Sequence, residues 1–378
     1  MQVESRRWTS GAGWQVLGTP LARVPQLVLA FGERAVWAGG RAVEELRAAY
    51  PGVPLFGCST AGEIAHDEVT EGTMVAVAVA FAHTTVRMGR TRLSHAGESR
   101  AAGVELARQL PPQGLTHVLV LANGITINGS DLAEALSSNL PPGVAVTGGL
   151  AGDGVRFEQT LVCVGEEVAS DTVGVVGLYG DRLKVGYGSL GGWDPFGPER
   201  LITRSNGNIL YELDGEPALA LYKRYLGDHA AQLPSSGLRF PLSVRSNDPA
   251  HRVVRTILGV DETTNSLTFA GDVPEGHFAR LMTANIDRLI DGATGAATSS
   301  LAPEAEAPPA LALLISCVGR RLVLGQRVEE EVENVRLVVG PSAVLCGFYS
   351  YGEIAPFAMH GRCELHNQTM TITTFSES

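Results

Sequence analysis

The stretch LVLAFGERAVWAGGRAVEELRAAYPGVPLFGCSTAGEIA, residues 27–65, decides the fold of this chain. It begins with a short apolar run (27–32) and continues through a segment with helical spacing of its apolar residues (39–50). It ends in a second apolar run that enters GCSTAGEIA (57–65). This order predicts a strand, a crossover helix and a parallel second strand. We expect the crossover to be right-handed.

The same unit recurs twice further along the chain. The later copies are VLVLANG (118–124), SDLAEALSSNL (130–140) and VAVTGGLAGDG (144–154), then LALLISCVG (311–319), GQRVEEEVENVRLVV (325–339) and AVLCGFYSYGEIA (343–355). A shift of 91 positions aligns Leu27 with Val118 and Pro51 with Pro142. A shift of 290 aligns Gly57 with Gly347, Thr60 with Ser350, and Glu63 with Glu353. Constant shifts of this kind indicate internal duplication.

Between the copies lie alternating or glycine-punctuated runs that predict antiparallel strands joined by tight turns. They are TMVAVAVAFA (73–82), QTLVCVG (159–165), TVGVVGLYG (172–180) and RLKVGYGSLGG (182–192). The predicted fold is therefore α/β or α+β, with helices on mixed, largely antiparallel sheets. The glycines and prolines of GGWDPFGPER (191–200) interrupt both periodicities and predict two domains, residues 1–196 and 197–378.

Composition restricts the class of protein. The 378 residues carry a formal charge of −11 without a cluster of Lys and Arg, which disfavours binding to nucleic acid or to an anionic membrane surface. No apolar run approaches the ~18 residues of a bilayer-spanning helix. The five cysteines are an odd number without C-x-x-C spacing, which is typical of reduced thiols in a cytoplasm. We therefore expect a cytoplasmic protein.

Several separated motifs together resemble the FIST N-terminal and C-terminal domains. They are FGCSTAGEI, FPLSVR, VVRTILGVDETTNSLTFAGDVPEG, LMTAN, YGEIAP and LHNQTMTI. The resemblance implies a cytoplasmic, non-enzymatic sensor of small ligands, proposed to include amino acids. Its output would pass through a separate protein such as a histidine kinase or a cyclic-dinucleotide enzyme. Some relatives resemble this chain but bind haem and sense nitric oxide.

The loop GCSTAGEI is the first candidate ligand site, because glycines allow close backbone approach and successive N–H groups attract small anions. Its candidate residues are Gly57, Cys58, Ser59, Thr60, Gly62 and Glu63. The later copies contribute Gly148, Gly149, Asp153, Tyr349, Ser350, Gly352 and Glu353. We expect these loops to enclose a cleft between the two halves. The alternative is that the glycines only turn the strand and that each glutamate only braces its turn.

An amino-acid-like ligand needs partners for both of its charges. Arg245, after the apolar run FPLSV, is the candidate for a ligand carboxylate, because guanidinium presents a bidentate fork. It could equally pair with an acid of the chain. Glu63 or Glu353 is the candidate for the ligand ammonium.

The motif LHNQT adds His366, Asn367 and Gln368 as candidate ligand contacts. His366 is the first histidine to consider if haem is bound, since one axial ligand and an apolar pocket leave no spacing signature. The dispersed histidines predict no structural metal. Two further alternatives remain: a hydrolase-like enzyme with Cys58 or Ser59 and His66, and a ligand-free scaffold. We assign Cys58 to packing, because nothing marks a third catalytic group or an oxyanion site.

Overall fold

The computed structural model describes residues 1–246, 252–302, 308–356 and 363–378. The first repeat contains these elements in chain order: β1 (Gln2–Thr9), β2 (Gly13–Leu17), β3 (Leu27–Gly32), α1 (Arg34–Ala38), α2 (Arg41–Ala49), β4 (Leu55–Ser59), β5 (Glu63–Ala65), β6 (Glu68–Thr70) and β7 (Met74–Ala80). The second contains β8 (Thr85–Arg92), α3 (Ser99–Gln109), β9 (Leu115–Ala122), α4 (Gly129–Ser138), β10 (Ala145–Leu150), β11 (Val162–Val164), β12 (Glu167–Ala169) and β13 (Thr172–Tyr179).

The third repeat is divided by an insertion. It begins with β14 (Leu183–Leu190) and resumes with α6 (Ile286–Ser300), β23 (Leu311–Cys317), α7 (Val318–Leu324), α8 (Val328–Val339), β24 (Val344–Ser350), β25 (Gly352–Pro356), β26 (Cys363–His366) and β27 (Met370–Glu377). The insertion contains β15 (Asp194–Asn206), β16 (Ile209–Leu213), β17 (Glu216–Pro217), α5 (Ala218–Leu226), β18 (Leu242–Arg245), β19 (Arg252–Arg255), β20 (Ile257–Asp261), β21 (Ser266–Phe269) and β22 (Phe278–Thr283).

Each repeat builds a sheet around the predicted parallel pair, β3 with β4, β9 with β10, and β23 with β24. An antiparallel strand, β7, β13 or β27, pairs with the first strand of each pair. The predicted mixed, largely antiparallel α/β architecture is thus confirmed. Apolar residues of both faces are buried in continuous cores, because helices and neighbouring sheets cover them.

The three sheets exchange strands in a closed ring. The strand after each parallel pair leaves its own sheet and pairs with the second parallel strand of another: β5 with β24, β11 with β4, and β25 with β10. Three main-chain hydrogen bonds repeat this relationship at the predicted shifts of 91 and 290. They are Gly152 N to Ser59 O (2.9 Å), Tyr351 N to Leu150 O (3.2 Å) and Ala61 N to Tyr349 O (2.8 Å). We call residues 1–193 and 284–378 the three-repeat body.

Residues 194–283 form the inserted module. It has its own antiparallel sheet and its own apolar core around α5. It lies between β14 and α6, at the position that residues 93–98 occupy between β8 and α3 in the second repeat. The predicted boundary between residues 196 and 197 falls inside β15. Pairs such as β14 with β27 join strands from both sides of that boundary.

One detail of the predicted alignment is wrong by one residue. Pairing places Ala30 opposite Gly57 and Val120 opposite Gly148. Val118 is therefore equivalent to Val28 and not to Leu27, because the second repeat has one more residue between its parallel strands. Sequence similarity alone does not fix this register, since residues 27–30 and 118–121 are all apolar.

Candidate functional site

Glu63, in the first candidate loop, is buried and bonded entirely within the protein. Its Oε1 accepts a hydrogen bond from Thr60 Oγ1 (2.5 Å), and its Oε2 accepts from Thr73 N (3.3 Å) and Thr73 Oγ1 (2.7 Å). Burial raises the pKa of Glu63 to about 7, although these hydrogen bonds act in the opposite direction.

Glu353 repeats the arrangement in the third repeat. Its Oε1 accepts from Ser350 Oγ (2.5 Å), and its Oε2 accepts from Thr369 N (3.2 Å) and Thr369 Oγ1 (2.9 Å). Burial raises the pKa of Glu353 to about 8. Both carboxyl groups tie the start of a hairpin to the strand that follows it, which is the geometry of a brace.

The second repeat lacks this carboxyl group. Its equivalent of Glu63 by pairing register is Val162, since Val162 lies opposite Cys58 as Glu63 lies opposite Phe348. Asp153 instead lies in the longer loop between β10 and β11. It accepts hydrogen bonds from Tyr351 OH and from the main-chain N–H groups of residues 157–159. Burial opposes ionisation of Asp153, but these bonds outweigh it and lower its pKa.

Two of the candidate glycines, Gly57 and Gly148, have a packing role, and so does Gly347, which aligns with Gly57. A Cβ at Gly57, Gly148 or Gly347 would lie 2.0, 1.8 or 1.8 Å from the carbonyl oxygen of its parallel partner strand. Only glycine fits so close an approach. Gly149 and Gly352 lie in the paired strands β10 and β25, and Gly62 has a φ of +132° and packs against Arg321.

Tyr349 and the proposed nucleophiles are also buried. Tyr349 OH donates to Glu331 Oε1 (2.8 Å). Ser59 Oγ accepts a hydrogen bond from Leu161 N (2.8 Å), and burial raises the pKa of Cys58 well above its usual range. His66 follows β5, on a different sheet from β4. This geometry gives no support to a nucleophile with a neighbouring base.

The guanidinium group of Arg245 is hydrogen-bonded within the inserted module. Its Nε donates to Glu199 Oε1 (2.7 Å), its Nη2 donates to the other oxygen of the same carboxylate, and its guanidinium lies 4.3 Å from the centre of the Phe278 ring. The alternative that Arg245 pairs with an acid of the chain is therefore the arrangement that the structure shows.

A cavity of about 210 Å³ lies between the inserted module and the three-repeat body. The body contributes Ser130 and Glu134 of α4 and Glu364 of β26, and the module contributes Arg255, Asp272 and His277. Residues of both predicted halves therefore line the cavity, but these are not the residues of the GCSTAGEI and YGEIA loops.

Arg255 is the buried cation of this cavity, with 5% of its surface exposed. Its Nε donates to Asp272 O (3.0 Å) and its Nη1 to Leu365 O (2.9 Å), while Nη2 makes no hydrogen bond to any described residue. Burial lowers the pKa of Arg255 to about 10, so it stays charged at neutral pH. Asp272 and Glu364 are the acids whose charges act on it.

Sequence reasoning missed Arg255, although VVRTILGV is one of the family-like motifs. The available signal was a lone arginine inside an apolar strand-like run, because such a residue is buried only where its donors find acceptors. Those acceptors come from residues 17 and 110 positions away, so the sequence around Arg255 does not reveal them.

The three LHNQT residues lie together where the body meets the module. His366 Nε2 lies 3.1 Å from Ala355 O. Gln368 Nε2 donates to Leu238 O of the module (3.3 Å), and Gln368 O accepts from Trp193 Nε1 (2.8 Å). Asn367 is completely buried, and neither its Nδ2 nor its Oδ1 has a hydrogen-bond partner among the described residues.

Fold and cavity together define a two-part α/β protein with a small cavity between its parts. The FIST N domain matches residues 26–216, and the FIST C domain matches residues 218–356. The matches extend over most of the chain, so the protein belongs to the FIST family, and the resemblance seen in the sequence is confirmed. FIST domains are associated with sensory signal transduction and small-ligand binding.

The chain is also similar to individual proteins. An uncharacterised protein of Mycobacterium tuberculosis is 26% identical over 268 residues, which is 68% of this chain and 67% of the relative. An uncharacterised protein of Mycobacterium bovis is 28% identical over 267 residues, again 68% and 67%. A crystal structure of cyanuric acid hydrolase from A. caulinodans aligns over 100% of this chain and 99% of its own, at 9% identity and a TM-score of 0.35. At that score the likeness bears on neither fold nor chemistry.

In the described ranges, no helix is long and apolar enough to cross a bilayer. Within the same ranges, no three His, Cys, Asp or Glu side chains form a group that could hold a metal ion.

Proposed function

We propose that this protein is a sensor that binds a small amino-acid-like metabolite in the cavity between the inserted module and the three-repeat body. The observation that carries the proposal is the cavity itself, which holds a buried guanidinium beside carboxylates. A concave site with a few convergent polar groups is the usual form of a small-molecule site.

The ligand's two charges find partners in this cavity. Arg255 offers Nη2 to a carboxylate, because its other donors are already bonded to main-chain carbonyls. Asp272 of the module and Glu364 of the body line the cavity and supply the negative charge that an ammonium group requires. This assignment gives Arg255 the role that the sequence suggested for Arg245, and gives the acids of the cavity the role suggested for Glu63 and Glu353.

The signal would pass to a separate protein, for which a histidine kinase or a cyclic-dinucleotide enzyme is our proposed class. The position of the cavity supports ligand-dependent output over a scaffold role. The cavity lies between two parts of the chain, and an occupant would contact both of them. A ligand that contacts two parts changes the free energy of their arrangement, which is what a sensor requires.

Haem, the cofactor of some relatives, does not fit the residues around His366. The imidazole is buried within a strand pair and its Nε2 lies against Ala355 O. The cavity of about 210 Å³ is below the ~300 Å³ at which pockets for drug-sized ligands begin. A Soret band in the absorption spectrum of the purified protein would contradict this assignment.

Calorimetric titration of the full chain with a panel of free amino acids tests the proposal. We expect at least one to bind, and Arg255→Met to weaken that binding about tenfold or more, because a charge-assisted hydrogen bond is lost. Arg245→Met is the matched control, since it removes an arginine of the same module that is paired with Glu199. Equal affinity in both variants would place the ligand elsewhere, and no binding by any member of the panel would remove the amino-acid-like class.

A further inference from the structure

The inserted module joins the three-repeat body through two chain crossings that lie side by side. The chain enters at residues 191–193 and returns at residues 284–288. A Cβ at Gly192 would lie 1.9 Å from Arg288 O, and Arg288 Nε pairs with Asp194 Oδ1 (3.1 Å). The two crossings therefore form one connection.

Arg320 fixes this connection to the body. It is completely buried, pairs with Glu331 (2.8 Å), and donates to Gly191 O and to Leu289 O (2.7 Å). One guanidinium thus holds the entering and the returning chain. A segment attached at one edge through adjacent crossings has the geometry of a hinge, and Gly192, with a φ of +78°, lies within it.

Away from the hinge, the module meets the body around the cavity. The side-chain hydrogen bonds between described residues there are Asn128 Nδ2 to Asp272 Oδ1 (3.2 Å), Arg255 Nη1 to Leu365 O (2.9 Å) and Gln368 Nε2 to Leu238 O (3.3 Å). Two of these three acceptors are main-chain carbonyls, which water can replace when the surfaces separate.

The turn Asn367–Gln368 makes the closed contact costly. Both side-chain polar atoms of Asn367 and Oε1 of Gln368 are buried and have no hydrogen-bond partner in the described parts of the chain. The equivalent turns, Glu71–Gly72 and Ser170–Asp171, are exposed or half-buried because nothing covers them. In the third repeat the module contacts this turn, since Gln368 Nε2 donates to Leu238 O. Each buried and unpaired polar atom opposes closure, since water would bond it in an open arrangement.

We propose that the inserted module is a hinged lid on the three-repeat body, with the turn Asn367–Gln368 as its destabilised closing contact. The described arrangement is the closed one. Opening about residues 191–193 and 284–288 hydrates Asn367 and Gln368 and exposes the cavity. The proposal concerns the free protein and stands whether or not the ligand is an amino acid.

Hydrogen exchange of the ligand-free full chain tests the lid. Two segments report on it, Ser235–Arg239 on the module side and residues 367–370 on the body side. We expect both to exchange faster than the inner strands β9 and β23. We expect Asn367→Leu to slow both by about fivefold or more, because it removes two unpaired atoms from the closed state. Slowing of the module segment by a substitution in the body is the signature of joint opening.

Asn208→Leu is the matched control, because the amide of Asn208 donates to Phe269 O (2.7 Å) inside the module. It should lower the melting temperature without slowing exchange at residues 367–370. Asn367→Ala, which adds no volume, should slow exchange in the same direction if the leucine variant does not fold. Unchanged or faster exchange of Ser235–Arg239 in the variants at Asn367, or wild-type exchange as slow as that of β9, would overturn the lid.

Discussion

Glu63 and Glu353, 290 positions apart, make the same three hydrogen bonds in two different repeats. Each accepts from a hydroxyl three residues earlier and from the N–H and hydroxyl of a threonine at the start of the following strand. Because all three donors belong to the protein, these bonds describe a brace for the hairpin. The predicted ligand loops thus have a structural function in the geometry that we observe.

The threonines of the three repeats provide an internal comparison. Thr73 and Thr369 donate to the glutamates. The hydroxyl of the equivalent Thr172 is buried and has no partner among the residues that the structure describes, as expected from Val162 at the glutamate position. We expect Thr73→Val and Thr369→Val each to lower the free energy of unfolding by about 1–3 kcal/mol. Thr172→Val should be neutral or stabilising. Chemical denaturation measures all three, and an equal loss in Thr172→Val would contradict the brace.

The raised pKa values of Glu63 and Glu353 predict how stability depends on pH. The folded protein holds these protons at pKa values of about 7 and 8, above the ordinary 4.5 of the unfolded chain. Their stabilising contribution is complete below pH 4.5 and is lost as pH rises through 7 to 8. We therefore expect the melting temperature to fall between pH 5.5 and pH 9, and to fall less in the double variant Glu63→Gln/Glu353→Gln.

Glu377→Gln is the control for that measurement. Hydrogen bonds from residues 82–84 outweigh the effect of burial and lower the pKa of Glu377 to about 2. Its contribution is present above pH 4.5 and is lost only in acid, so the variant should keep the wild-type slope between pH 5.5 and pH 9. A double glutamine variant with the same slope as Glu377→Gln would show that the two buried glutamates do not titrate in this range.

The close approach of parallel strands predicts that Gly57, Gly148 and Gly347 tolerate no side chain. In Gly148→Ala the new methyl group would lie 1.8 Å from Val120 O, so a shift of the strand is required. We expect a loss of about 3 kcal/mol or more, or no folded protein. Gly259→Ala is the control, because its methyl group would lie 3.9 Å from Thr268 and should cost less than about 1 kcal/mol. Thermal unfolding of the two variants tests the difference, and similar melting temperatures would refute it.

Sequence reasoning predicted the repeated unit because its signals are local. Within each repeat the apolar runs, the helical spacing and the glycines lie close together in sequence, as in residues 27–65 of the first. The hydrogen bonds of Ser59, Leu150 and Tyr349 repeat the shifts of 91 and 290 between the repeats. The exchange of strands between sheets was not predictable in the same way, because β5 pairs with a strand far along the chain, with Ala65 opposite Cys346. Nothing in the three residues of β5 indicates that β24 is the partner strand.

The candidate site was harder to predict for a related reason. A glutamate after a glycine-rich turn is compatible with a ligand partner and with a brace, and only the positions of Thr73 and Thr369 distinguish them. Arg245 and Arg255 both follow apolar runs, yet the first meets Glu199 and the second lies in the cavity. The insertion at residue 194 resembles a domain boundary, since glycine and proline mark both.

Native mass spectrometry of the gently purified full chain tests the central claim most directly, with Arg255→Met and Arg245→Met measured beside the wild type. We predict that the wild type and Arg245→Met retain one small molecule per chain, of a mass that a cavity of about 210 Å³ accommodates, and that Arg255→Met does not. Retention of the same molecule by Arg255→Met, or retention by none of the three proteins, would contradict a ligand site at Arg255.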